Sequence, residues 1–328
     1  MITTLTMNPS LDCTIELDAM LQRGGVQRAK SQTSQAAGKG VNVARALVAG
    51  GLRAMALLPG DPHDPVIQGL NDDGLPHLAL PIGQPLRSNL TLAEADGTTT
   101  KINAPGPTLD AAHQQALIDA VFEAAKTSSW LVLAGSLPPS VAPGFYAQLV
   151  TEIRARCGAR APRIAVDTSG APLRALLSGG PPGVPDLVKP NAEELAELSG
   201  EGSEALFEAN PELAGRAARQ LVAAGAGAVL ATLGSQGAVL ATAAGCWYAT
   251  HEPVAARSTV GAGDSAQAGY LLTAVAGGSP ADCLRQAVAH GSAAVALPGS
   301  SIPHPKDTNP RAVTVAALPT PPLTEGKP

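Results

Sequence analysis

Short apolar runs alternate with longer stretches of helical periodicity along most of this chain, and that rhythm limits what it can fold into. Residues 2–7, 54–58, 130–134 (WLVLA), 163–167 (RIAVD), 187–189 (LVK) and 228–232 (AVLAT) read as strands. Residues 41–51, 111–126, 143–156, 191–199, 212–224, 263–275 and 281–296 read as helices. In the first of these Val41, Ala44, Leu47 and Val48 share a face. A continuous apolar strand has no polar side to give to water, so it is buried on both faces. Strands of that kind separated by helices predict the α/β class: a doubly wound, mostly parallel sheet with helices on both faces.

Two segments break the rhythm. Residues 13–36 and 87–103 are more polar and richer in Thr, Ser and Gln. The second holds Asp96-Gly97 between two extended runs, 89–93 and 99–103, which is a hairpin signal. They predict a small β-sheet lid, or, read alone, an edge extension with no role. The expected organisation is a core of residues 1–12, 37–85 and 105–304, a lid of residues 13–36 and 86–104, and a C-terminal extension, 305–328. The end of that extension, LPTPPLTEGKP, predicts disorder.

Composition removes other classes. Lys plus Arg is 22 against 27 Asp plus Glu, a net charge of -5, and aromatic residues are 2%. A weakly acidic chain with no basic run and few stacking rings is a poor nucleic-acid binder. The core must come from Ala, Val, Leu and Ile. Cys13, Cys157, Cys246 and Cys283 form no CxxC pair, so neither a disulfide framework nor a zinc site is signalled, and they read as reduced thiols of a cytoplasmic protein. The start, MITTLTMNPSLD, has no charged region followed by an apolar one, and no run is long and apolar enough to span a bilayer.

The stretch most informative about chemistry is STVGAGDSAQAGYLL, residues 258–272. Gly261, Ala262 and Gly263 form a small-residue turn entering an apolar helix, and amides at a helix N-terminus can hold an anion. Asp264 beside them reads alone as a helix cap or first-turn charge. The same pairing of an anion-binding turn with a carboxylate is what phosphoryl transfer to an alcohol needs. Residues 36–45, AAGKGVNVAR, are a second Gly-rich turn entering a helix. Its Lys39 suits a phosphate, or is a solvated lysine in a βα turn.

These two stretches resemble the C-terminal and N-terminal signatures of the ribokinase-like (PfkB) carbohydrate kinases. Four further motifs are similar in order: NPSLD (8–12), GSLP (135–138), KPN with NxxE (189–194), and TLGSQG (232–237). The resemblance implies Asp264 as catalytic base with Gly261, Ala262 and Gly263 as anion hole. It implies Asp12, Gly38, Lys39, Gly40, Asn42 and Ser136 as substrate contacts, with Arg87 and Lys101 of the lid on the far phosphate or merely exposed. It implies Lys189, Asn191, Thr232, Gly234, Gly237 and Ser292 around the nucleotide, and Glu194 near Mg²⁺ through water. Without the resemblance, Asn191 and Glu194 form a capping box in outline.

Where the family shows GGKG, this chain has Ala37. The NPSLD, AAGKG, APGPTL, GSLPP and DTSG texts resemble the phosphosugar branch. That branch implies ATP as donor and a phosphorylated ketohexose as acceptor: fructose 1-phosphate first, tagatose 6-phosphate or fructose 6-phosphate as alternatives. Val26 stands where a fructose 6-phosphate enzyme of the branch has a substrate-binding lysine. The loops of Ser258, Val260, Leu297 and Gly299 resemble a K⁺ site built from carbonyls. Pairing of two copies through the lid is the expected assembly, with no nucleic acid or membrane partner. A non-catalytic nucleotide- or sugar-binding regulator on the same fold is the alternative of a different class; it has no need of Asp264.

Overall fold

The computed structural model describes residues 1–299 and 301–319. The chain forms two compact units, Met1–Arg163 and Ile164–Pro328.

In the first unit the strands are β1 (Ile2–Thr6), β2 (Ser10–Glu16), β3 (Ser31–Ala37), β4 (Ala54–Pro59), β5 (His77–Leu80), β6 (Arg87–Ala93), β7 (Thr99–Ile102) and β8 (Trp130–Ala134). The helices are α1 (Lys39–Ala49), α2 (Pro65–Asp72), α3 (Ala111–Ala125) and α4 (Phe145–Cys157). Strands β8, β1, β4 and β5 lie in that order and pair parallel throughout. Every residue of β1 and of β8 is buried; β8 is continuous apolar text, while β1 buries Thr3, Thr4 and Thr6 beside Ile2 and Leu5. Helix α1 packs on β1 and β4 through Val41, Ala44 and Leu47. Val48, expected on the same face, is 37% exposed at its edge.

The polar segments form a second sheet of order β3-β2-β6-β7. Its central pair, β2 with β6, is parallel and its outer pairs are antiparallel. The Asp96-Gly97 turn is present: Gly97 has φ +90° and Asp96 Oδ1 accepts from the Thr98 amide. Strand β2 starts earlier than the expected lid, at Ser10, so Asp12 lies inside it.

In the second unit the strands are β9 (Arg163–Asp167), β10 (Leu187–Val188), β11 (Ala228–Thr232), β12 (Ala238–Thr242), β13 (Gly245–His251) and β14 (Val313–Ala317). The helices are α5 (Gly170–Ser178), α6 (Ala192–Ser199), α7 (Glu204–Ala209), α8 (Pro211–Ala223), α9 (Ala262–Val275) and α10 (Pro280–Val295). Strands β9, β10 and β11 are parallel neighbours; β12, β13 and β14 then continue antiparallel. The mostly parallel α/β reading holds, with an antiparallel border it did not include. Helix α8 packs on β11 and β12, and α9 packs against α10. Strand β14 falls inside the expected extension and is tied to β13 along its length. Of the tail LPTPPLTEGKP, residues 320–328 lie outside the described residues.

Gly38, the residue before α1, has φ +137°, and an ideal Cβ there would lie 2.7 Å from Thr6 Cγ2. Gly38→Ala is therefore expected to lower unfolding free energy by roughly 1–3 kcal/mol, the cost of a strained backbone position. Urea denaturation checks this; an unchanged midpoint contradicts it.

Candidate active site

In the first unit, polar side chains collect where β1 ends and the small sheet begins. Asn8 is buried and bridges two expected substrate contacts. Its Nδ2 donates to Ser136 Oγ at 3.2 Å and to the Pro105 carbonyl at 3.1 Å, while its own carbonyl accepts from Arg87 Nη2 at 3.0 Å. Arg87 Nη1 donates to the Ala104 carbonyl at 3.0 Å. Burial pulls the Arg87 pKa below its ordinary value, against the opposing attraction of the Asp12 carboxylate. Asp12 accepts from Ser10 and from Asn89. Ser136 is exposed just past β8, where ligands of open α/β sheets bind.

Lys39 opens α1, and its Cβ lies 3.8 Å from the ideal Cβ position of Gly135, the residue before Ser136. Gly40 sits tightly under Thr6, and Asn42 is buried in the first turn, with its amide on the Gly38 carbonyl. Asn42 Oδ1 accepts a long 3.4 Å bond from Arg45, which also holds Asp73 at 2.6 Å.

Lys101 is placed differently. It is exposed and pairs with Thr91, four residues beyond Arg87 along β6. At the usual strand rise that is about 13 Å. The register therefore puts Lys101 on the face of Arg87 but does not group the two charges.

In the second unit the ends of β9 and β10 carry an ion pair. Lys189 Nζ lies 3.0 Å from Asp167 Oδ2, with the two side chains 4% and 0% exposed. The ammonium also lies against the start of α9: an ideal Cβ on Gly263 would be 3.1 Å from Nζ. Gly261 caps α9 with φ +76°, a left-handed position that suits glycine. The Ser265 amide closes on its carbonyl, while the Gly261 and Gly263 amides donate to nothing among the described residues. Asp264 follows in the first turn and is 7% exposed. This part of the chain thus presents backbone donors, a buried ammonium and a carboxylate together.

The capping box read from KPN and NxxE is formed. Asn191 Oδ1 accepts from the Glu194 amide at 2.7 Å, and Glu194 Oε2 accepts from the Asn191 amide at 2.9 Å. The Thr232 amide donates to the Pro190 carbonyl, so the TLGSQG loop is tied to the KPN segment. Gly234 and Gly237 both have positive φ in that loop. Ser292 lies on α10 next to Gly291, whose ideal Cβ would be 3.5 Å from the Ala262 carbonyl. Of the expected nucleotide residues, Lys189 and Ser292 lie by the α9 turn, and Asn191 and Thr232 are bridged to each other.

No three His, Cys, Asp or Glu side chains among the described residues are grouped to hold a metal by themselves. A Mg²⁺ ion carried on a triphosphate needs only one or two protein carboxylates and keeps several waters. Glu194, a hard oxygen donor at a helix N-terminus and 8% exposed, fits that requirement.

Sequence reasoning missed Asn8, Ser10, Asn89 and the partnership of Asp167 with Lys189. Asn8 and Ser10 stand in the NPSLD motif and Asp167 in DTSG, so the motifs held the signal but not the contacts.

The sequence profile of the pfkB family carbohydrate kinases matches residues 5–307. A 1-phosphofructokinase from Xanthomonas campestris is 37% identical over 271 residues, 81% of this chain and 81% of its own length. An ATP-dependent 6-phosphofructokinase isozyme 2 from Mycobacterium tuberculosis is 34% identical, over 97% of this chain and 91% of its own. Among solved structures, phosphofructokinase-2 from Escherichia coli in complex with potassium aligns with a TM-score of 0.82 at 30% identity, covering 93% of this chain and 96% of that one.

Removing one partner of a buried ion pair leaves the other charged and desolvated. Lys189→Met is expected to lower unfolding free energy by about 3–5 kcal/mol. Lys189→Met combined with Asp167→Leu is expected to recover most of that loss. Chemical denaturation of both variants checks it; a double variant no more stable than the single one contradicts the pairing.

Proposed function

The chain belongs to the pfkB family of carbohydrate kinases, and on that premise we propose that it transfers the γ-phosphoryl group of ATP to the 6-hydroxyl of fructose 1-phosphate, giving fructose 1,6-bisphosphate. The observation that carries this reading is the α9 turn. Asp264 is buried beside two uncommitted backbone amides, and the Lys189 ammonium lies against the same turn. Relatives named 1-phosphofructokinase support the choice of acceptor, among them the Xanthomonas protein.

In the proposed reaction Asp264 accepts the hydroxyl proton as the sugar oxygen forms its bond to phosphorus and the bond to the leaving ADP oxygen breaks. The amides of residues 261–263 stabilise the equatorial oxygens of the phosphoryl group in transfer. Lys189, Asn191 and the TLGSQG loop hold the nucleotide phosphates. Asp12 and Asn42 bind sugar hydroxyls, and Arg87 with Ser136 binds the phosphate already on the sugar; Asn8, touching both, supports that grouping. Lys39 is a further phosphate ligand of the turn it opens. Glu194 would hold a Mg²⁺ ion through water, and that ion would supply charge neutralisation on the triphosphate.

Fructose 6-phosphate is the second reading, supported by the Mycobacterium relative named 6-phosphofructokinase isozyme 2. Val26, at the position expected to hold a lysine for that substrate, is apolar and fully exposed, which favours the first reading. A K⁺ ion bound by carbonyls of Ser258, Val260, Leu297 and Gly299 belongs to the proposal. The amides of Arg257 and Ser258 both donate to the Val295 carbonyl, which brings those loops close. Two copies pair through the small sheet, whose connection and edge expose Met20, Val26 and Ile102. No described helix is long and apolar enough to cross a membrane, and the cytoplasm is the proposed compartment.

A coupled assay of ADP release with fructose 1-phosphate, fructose 6-phosphate and tagatose 6-phosphate is expected to give the highest kcat/KM with the first. A preference for another sugar phosphate would reassign the acceptor, and ATP binding without turnover of any sugar would make the protein a binder. Asp264→Ala is expected to lower kcat by ~10²–10⁴, the usual effect of losing a general base. ATP affinity is expected to stay within about twofold, since the base acts on the acceptor rather than on the nucleotide. Near-normal turnover by that variant contradicts the base assignment.

A further inference from the structure

The Asp12 carboxylate is held by one oxygen. Its Oδ1 accepts from Ser10 Oγ at 2.7 Å and from Asn89 Nδ2 at 2.9 Å. The same Nδ2 donates its other hydrogen to Ser10 Oγ at 3.0 Å. A carboxamide nitrogen has two hydrogens, and a hydroxyl donates one while accepting others. The three side chains therefore close a ring in which every donor is used. Asp12 Oδ2 makes no hydrogen bond among the described residues, yet it is not among the polar atoms sealed from solvent.

The register explains why these groups meet. In the parallel β2–β6 pair, Ser10 lies opposite Arg87 and Asp12 opposite Asn89. Side chains two residues apart on a strand share a face, so all four point the same way. Asparagine is a poor strand former, and Asn89 Oδ1 is buried without a partner. What Asn89 brings to this position is its pair of donors.

We infer that Asn89 and Ser10 are positioning residues for sugar binding: they occupy Asp12 Oδ1 so that Oδ2 alone, in one orientation, meets a hydroxyl of the phosphosugar. This rests on the reading of Asp12 as a sugar-binding carboxylate. A carboxylate free to rotate must be ordered when the sugar arrives, and that ordering weakens binding. Two donors on one oxygen fix it beforehand. The role belongs to acceptor affinity and not to the nucleotide.

The test is a set of variants, Asn89→Ala, Asn89→Asp and Ser10→Ala, each made alone and on Asp12→Ala, with kcat and KM measured for fructose 1-phosphate and ATP. Asn89→Ala is expected to raise the fructose 1-phosphate KM about 10- to 100-fold, the effect of losing a hydrogen bond to a charged group. KM for ATP is expected to stay within about twofold, and on Asp12→Ala the same change is expected to add less than about twofold, because the partner is already gone. Asn89→Asp keeps the shape, removes both donors and sets a second carboxylate beside the first, so its KM is expected to rise at least as far. If Asn89→Ala does not fold, Ser10→Ala reads the same coupling. Wild-type fructose 1-phosphate KM in Asn89→Asp overturns the positioning role, as does an Asn89 effect retained in full on Asp12→Ala or an equal rise in the ATP KM. If Asp12→Ala itself leaves that KM unchanged, the reading of Asp12 falls and the positioning role with it. A defect in Asp12→Ala without one in Asn89→Asp overturns the positioning role alone.

Discussion

The ion pair of Lys189 and Asp167 is the constraint on which the second unit's chemistry depends. Both charges are withdrawn from water, and at 3.0 Å each is the charge that offsets the other's desolvation. Asp167 ends β9 and Lys189 follows β10, so the pair fixes the ends of two neighbouring parallel strands against each other. It also fixes where the ammonium sits, and that is against Gly263. A side chain at residue 263 would press on the ammonium, which gives the second glycine of GAGD a steric reason. With the turn set in this way, the start of α9 offers its amides and Asp264 together. The carboxylate is a first-turn charge on a helix and also the group proposed to take a proton.

The first unit reaches an equivalent result by strand pairing. Nearly all the polar contacts of its cluster depend on one parallel register, β2 on β6, and on Asn8 at the end of β1. Asn8 holds Ser136 through its side chain and Arg87 through its carbonyl. Arg87 spends two donors on backbone carbonyls, so its guanidinium is oriented by the fold and not by a ligand. Lys101, on the outer strand, has no such anchor among the described residues, and its ammonium is exposed where the Arg87 guanidinium is half-buried.

The parts of this fold legible in the sequence are those where one residue type must recur. WLVLA, RIAVD and AVLAT each hold a continuous apolar run because their centres are covered on both sides, and their strands match residue for residue. Strand β12 repeats the AVLAT text of β11 and was as legible, but went unread behind the Gly-rich loop; β13 was not legible, because its mixed burial carries no clean alternation. Strand β14 is hidden by its surroundings, a Pro-rich tail whose composition argues for disorder although Val313–Ala317 pairs along its whole length. Helix α5 follows DTSG and carries Pro172 in its first turn, where a proline is tolerated but reads as a breaker. The motif residues were legible through family resemblance. Asn89 was not, because a polar residue in a half-buried strand has no periodic signature and its partner Asp12 lies 77 positions away.

Asp264 is proposed to act on the proton and not on binding. Single-turnover rapid quench of Asp264→Asn, with ATP and fructose 1-phosphate both saturating and their binding verified by titration calorimetry, measures it most directly. Both substrates are expected to bind with ordinary affinity while the burst of fructose 1,6-bisphosphate disappears from the time course. A burst of wild-type rate from that variant, or loss of binding in place of loss of the burst, would contradict it.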